Sequence, residues 1–141
     1  MSAFTGYAKW VQAGASVTGI ACLWNPANSG VTATVKSISG VEGTPVTFIL
    51  RQVTAPEGSV SSTPAKNATL GGAAPKCELR EGNVGWSLGI TLAASTATTN
   101  TQVHMDNAVD IVIAPGYGVV LQSNQGNMSG DATVQWTEAQ A

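Results

Sequence analysis

The residues able to do chemistry in this chain are few. The one histidine, His104, stands in the run TQVHMD. Alternation puts it on the face of Gln102 and Asp106, opposite Val103 and Met105. That is the solvent side of a half-buried strand, so His104 reads as a surface residue rather than a general base. No second histidine lies at ligand spacing, and a zinc site is not expected. Asp106, Asn107 and Asp110, and again Asn124, Asn127 and Asp131, offer the hard oxygens that calcium takes. Neither group has EF-hand spacing or a Gly-Asp repeat, and Asx residues at turns are accounted for by bonds to their own backbone. Glu78 and Glu81, flanking Arg80, are the nearest approach to the paired acids of a glycosidase; they read as solvated charges. APGYG (114–118) lies between strands, without the helix that would complete a phosphate cradle. The expectation is therefore no catalytic residue, no cofactor and no metal, with an enzyme ranked last among the functions.

Aromatic and thiol groups remain. Trp24 and Trp136 sit at buried-strand parity and read as core, whereas Trp10 and Trp86 are freer to meet a sugar or a protein partner. Cys22 and Cys77 lack metal-ligand spacing and read as two reduced thiols, Cys22 buried in a strand. Their separation in sequence leaves a disulfide open, because it does not give the distance between them.

The elements that position these groups are strands. VTGIACLW (17–24) is apolar on both faces and is expected to be covered twice, by a second sheet and by a neighbouring subunit. VTATVKSIS (31–39) and VTFILRQV (46–53) alternate with a period of two. Thr54 to Pro75 is rich in Pro, Gly, Ser and Thr, and reads as a long loop or weak edge hairpin suited to contact. CELR (77–80) is a short strand, and Trp86, Leu88, Ile90 and Leu92 share a parity expected to face the core. From Ala108 onward three strands follow. Val109, Ile111 and Ile113 define the first face, Val119 and Leu121 the second, and Val134 and Trp136 the third. That makes about eight to ten antiparallel strands at the spacing of a sandwich or barrel, with no helix of useful length.

With 141 residues the chain is expected to be one domain with its own core. Residues 17–141 form the β-sandwich, preceded by an N-terminal arm over 1–16. Phe4, Tyr7, Trp10 and Val11 stand in that arm among Gly, Ala and Ser, as anchors for something to pack on; the alternative is that the segment folds back on its own sandwich. Only 10% of residues are charged, against roughly a quarter in ordinary domains, so docking on another protein would desolvate few charges. The net charge is −2 with six scattered basic residues, which argues against nucleic acid and against anionic membrane as partners. No apolar run approaches the length of a membrane span, and the first residues lack the apolar stretch of a signal peptide.

Several segments together resemble a known family. IACLWNPANSG (20–30) is an early strand ending in a Trp-Asn-Pro turn, followed by VTATVKSIS (31–39). Gly71-Gly72-Ala73-Ala74 leads to CELR (77–80), and IVIAPGYGVVLQSN (111–124) precedes the ending DATVQWTEA (131–139). From about Val17 onward this resembles the small jelly-roll decoration (cement) proteins of tailed bacteriophage capsids, the arm lying outside the resemblance. The resemblance implies an antiparallel jelly-roll-like β-sandwich and a non-enzymatic homotrimer. Made in the host cytoplasm, it would bind the major capsid protein on the outer surface of the virion and stabilise the mature head. Phe4, Tyr7, Trp10, Val11 and Trp86 are the residues expected to make protein contacts. The alternative is a receptor- or glycan-binding β-domain of a phage tail fibre or other tail component, with Trp86 as a sugar-stacking residue.

Overall fold

A computed structural model describes residues 1–86, 88–98 and 100–141. Twelve strands are present among them: β1 (Ser2–Trp10), β2 (Thr18–Asn25), β3 (Val31–Glu42), β4 (Val46–Val53), β5 (Ser59–Val60), β6 (Lys66–Asn67), β7 (Glu78–Val84), β8 (Ile90–Ala97), β9 (Val103–His104), β10 (Val112–Ile113), β11 (Tyr117–Gly126) and β12 (Gly130–Gln140). The one helical turn described is a 3-10 turn at Asp106–Ala108. All strand pairs are antiparallel. One sheet runs β10-β3-β12-β1-β6, with β9 also on β3, and the other runs β5-β7-β2-β11-β4-β8. Their inner faces meet in one apolar core that includes Trp10, Phe48, Leu50, Leu121 and Trp136. The architecture is an all-β, sandwich-like pair of sheets.

The N-terminal residues are a strand of this sandwich instead of an arm. Ser2–Trp10 pairs with β12 from Ser2↔Glu138 to Trp10↔Gly130. The even positions Phe4, Gly6, Ala8 and Trp10 all face inward and are buried, while Thr5 and Lys9 are exposed. This period of two is muted in the sequence because glycine and alanine occupy half the inner face. Gly6 belongs there because a Cβ would lie 2.5 Å from Leu79 Cδ2 and 3.3 Å from Trp136. Phe4 stacks on Trp136 with centroids 5.7 Å apart, and Trp10 meets Phe48 edge-on at 6.1 Å. Phe4 and Trp10 are core residues, a correction to their assignment as contact anchors.

β2 is buried on both faces, as expected. Ala21 and Leu23 enter the central core, while Ile20, Cys22 and Trp24 form a second cluster with Val53 and Val120. The chain itself covers that outer cluster. Val84 and Leu88 pack on it, and a Cβ on Gly58 would lie 3.2 Å from Ile20 Cδ1. The Arg80 guanidinium holds this cover down, donating to the carbonyls of Glu57 (3.0 Å) and Gly58 (2.7 Å) while pairing with Glu78 at 2.7 Å. The start of the Pro/Gly-rich segment is thus a lid on β2, where the sequence suggested a neighbouring subunit. The rest of that segment contributes only the two-residue edge pieces β5 and β6.

Two further expectations are corrected. Residues 108–113 are not one alternating strand. The 3-10 turn and the positive φ of Asp110 (67°) break the alternation and leave a two-residue β10 with Val109 exposed. Nor do Trp86, Ile90 and Leu92 face the core: all three are exposed. β8 is the edge of its sheet, and its register sets Ala93 against Leu50 and Ser95 against Phe48, with a bulge between Ala93 and Thr91 that throws Leu92 out of the ladder. Val119, Leu121, Val134 and Trp136 are buried in the core as expected.

Candidate contact surface

Of the five residues expected to make contacts, Tyr7, Val11 and Trp86 are exposed. Tyr7 stands on the outer face of the first sheet, where burial and the adjacent Asp131 carboxylate raise its hydroxyl above the ordinary range. Val11 and Trp86 flank the segment that follows β1. Asn83 Nδ2 donates to the Val11 carbonyl (2.8 Å) and Trp86 Nε1 to that of Ala15 (3.3 Å). The five do not form one surface.

An apolar strip that the sequence reading missed lies at the β8–β10 edge. Leu92, Val112 and Tyr117 are 44%, 61% and 44% exposed, and they share a groove of about 230 Å³ with Gln52 and Ala114. No charged side chain lines it. Ile90, also exposed, lies two residues along β8. The groove has a local cause. β9 and β10 are two residues each, so the first sheet ends early there. A readable signal was the turn chemistry of Asp106, Asn107, Asp110 and Pro115, which leaves no room for a long strand to cover Leu92.

A second apolar feature projects from the opposite edge. After β6 the chain turns through residues 68–74 with Leu70 at its tip, 95% exposed. The Asn67 side chain closes this loop at both ends, its Oδ1 accepting from the Thr69 amide (2.9 Å) and its Nδ2 donating to the Ala73 carbonyl (2.9 Å). Gly72 N–H donates to the Thr69 carbonyl at 2.9 Å, and Gly71 takes the left-handed conformation (φ 79°) that glycine favours.

Other groups with chemical potential are occupied structurally. His104 Nδ1 lies 3.0 Å from Ser39 Oγ, its cross-strand neighbour, and His104 is exposed as expected. Asn124 and Asn127 accept backbone N–H groups of Thr47 and Gly14, and Asp110 pairs with Lys36 at 3.1 Å; these are contacts with segments distant in the chain rather than the bonds to their own backbone expected of them. Glu78 binds Arg80, whereas Glu81 accepts from Ser61, Ser62 and the Lys9 amide; the two acids serve separate networks. Among the described residues no group of three or more His, Cys, Asp or Glu could hold a metal ion. Both cysteines are free and buried, and burial pushes the Cys22 thiol up to about 12. Two buried glutamates, not singled out from the sequence, each accept a tryptophan N–H: Glu42 from Trp10 (3.0 Å) and Glu138 from Trp136 (2.9 Å). Glu138 also receives the amides of Lys76 (2.8 Å) and Cys77 (3.0 Å), anchoring the entry to β7. No protein-family model, curated protein or solved structure matches the chain.

Proposed function

We propose that this protein is a non-enzymatic virion structural protein. In this reading a trimeric decoration protein binds the major capsid protein on the outer surface of a tailed-phage head and stabilises the mature shell. The observation that carries the reading is the charge-free apolar strip of Leu92, Val112 and Tyr117, set on a chain in which only 10% of residues are charged. Such a strip docks without desolvating charge, and symmetry multiplies each modest contact over the shell. The strand pairing supports a jelly-roll winding. β1 with β12, β2 with β11, β3 with β10 and β4 with β8 nest first with last, and successive pairs alternate between the two sheets. The test is co-sedimentation of the purified protein with expanded heads of its parent phage, together with its stoichiometry by light scattering. Binding as a trimer is expected. A monomer that ignores expanded heads overturns the proposal.

A glycan-binding tail domain is the second reading. The observation in its favour is a hollow of about 340 Å³ in which Tyr7 stands among Lys9, Asn100, Ser129 and Asp131, an aromatic ring with polar groups around it. Glycan-array binding that disappears in Tyr7→Ala would favour it over the first.

A further inference from the structure

We propose that the hollow around Tyr7 holds one neutral pyranose ring, the terminal hexose of a glycan, and turns away sugars that carry a carboxylate or an ammonium group. The inference deepens the glycan reading above and rests on it; the capsid reading is independent of it.

The hollow is built on fixed backbone. Lys9 pairs with Asp131, and Asp131 with Val41, so its two unpaired charges stand on one row across β1, β12 and β3. Tyr7 lies two residues along β1 from Lys9, on the same outer face. β6 pairs with β1 only at Phe4 and Thr5, and Tyr7 lies beyond it, 37% exposed. Asn100 enters from the connection between β8 and β9. Its amide donates to the Glu42 carbonyl at 3.0 Å, and its backbone is left-handed (φ 54°), a conformation asparagine tolerates. Ser129 is held by accepting the Gln12 amide at 3.0 Å. Groups positioned in this way by strands and backbone bonds lose little freedom when a ligand arrives.

The chemistry is that of a sugar. A pyranose offers an apolar C–H face and a rim of hydroxyls that both donate and accept. Tyr7 supplies a ring for the face. At the rim Asp131 accepts, Lys9 donates, and the Asn100 side-chain amide does both. The ion pairs among the described residues are Lys36–Asp110 and Arg80–Glu78, so neither Lys9 nor Asp131 is committed to a partner charge. Glu42 also borders the hollow, but it is buried and its carboxylate is taken by Trp10 and Ser123.

Charge and size then narrow the class. An anionic sugar would meet Asp131 and a cationic one Lys9, each a like-charge contact, whereas a neutral ring meets both through hydroxyls. The volume, about 340 Å³, lies at the low end of small-molecule sites. That is room for one ring, not for a chain of them.

The test is an NMR titration of the isotope-labelled protein with glucose, galactose, mannose and N-acetylglucosamine, set against glucuronate and glucosamine. Each is taken to about 10 mM, well above a Kd of about 1 mM. At least one neutral sugar is expected to shift the amides of Tyr7, Lys9, Asn100 and Asp131, and to bind at least ~10-fold more tightly than either charged sugar. Tyr7→Ala should abolish the shifts, while Tyr7→Phe keeps the ring and most of the affinity. Asp131→Asn should bring glucuronate closer to the neutral sugars by removing the like charge. Unchanged melting temperature confirms each fold, and Tyr7→Thr replaces Tyr7→Ala if that variant does not fold. A charged sugar that binds as tightly as the neutral ones overturns the inference and leaves the glycan reading standing. Glycan-array binding without any monosaccharide binding does the same. Shifts centred away from the hollow, an alanine variant that binds like wild type, or silence with every sugar and on the array would overturn both.

Discussion

The indole N–H of Trp10 reaches the carboxylate of Glu42 at 3.0 Å across an intervening strand. Trp10 is level with Gly130 of β12, and Gly130 with Glu42 of β3, so the bond spans a three-strand row whose middle member has no side chain. The other carboxylate oxygen accepts from Ser123 Oγ at 2.9 Å, on β11 of the opposite sheet. One buried acid therefore links both sheets at one end of the sandwich. At the other end Glu138 joins Trp136 to the amides before β7.

Glu42 gives stability a pH dependence of definite sign. Burial raises its carboxyl above the ordinary value, and the bonds from Ser123 and Trp10 offset this only in part. A carboxyl raised on folding contributes stability that is complete below its unfolded value of about 4.3, and that is lost as pH rises through the folded value. Glu42→Gln keeps an acceptor for Trp10 and removes the ionisation. The melting temperature of Glu42→Gln relative to wild type should accordingly increase as pH rises above the unfolded carboxyl value, and level off once the folded carboxyl has ionised. Tyr7, Lys9 and Asp131, which line the neighbouring hollow, are common to both proteins and cancel in the difference. A difference independent of pH sinks the assignment. Glu42→Ala should instead destabilise at every pH, by about 1–3 kcal/mol for each buried donor left without a partner.

Trp10 occupies a slot made by two glycines. A Cβ on Gly19 would fall 2.0 Å from Trp10 Cδ1, and one on Gly130 would fall 2.6 Å from both Trp10 Cζ2 and the Val41 carbonyl oxygen. Gly19→Ala is expected to cost about 1–3 kcal/mol or more by overpacking, measured by urea unfolding. Gly85→Ala, where a Cβ meets nothing within 4 Å, serves as the control and should change little. The decisive comparison is non-additivity: in a Trp10→Ala background the Gly19→Ala penalty should largely vanish. Strict additivity would show that the indole is not what the glycine accommodates.

How far the sequence could be read depended on which residues carried the alternation. β3, β4, β11 and β12 announce themselves because Val, Ile, Leu and Phe mark the inner face. β1 escaped because Gly6 and Ala8 hold inner positions, and a glycine chosen for a crowded site looks the same in a sequence as one chosen for flexibility. Leu92 misled for the opposite reason. It has core character and strand parity, but whether a strand is covered depends on partners distant in sequence, here β9 and β10, which are too short to cover it. The contact strip and the Glu42 and Glu138 networks share that origin. Each joins segments far apart in the chain; the turn residues that cut β10 short are the one local trace, and they do not say which side chain is left uncovered.

Arg80 links the loop before β5 to the integrity of the outer cluster. Its guanidinium holds the Glu57 and Gly58 carbonyls, and this cover lies over Ile20 and its neighbour cluster member Cys22. Arg80→Ala removes the clamp while leaving the central core intact, since Arg80 is absent from it. Two outcomes are expected together. Glutamyl endopeptidase should cut after Glu57 faster than in wild type, and Cys22, buried in the wild-type fold, should react faster with a thiol reagent in a Cys77→Ser background. Local opening of this kind exposes a segment without global unfolding, so the melting temperature should fall far less than the labelling rate rises. Should labelling and melting shift in proportion, the loop is part of the global cooperative unit and Arg80 does not act as a local clamp.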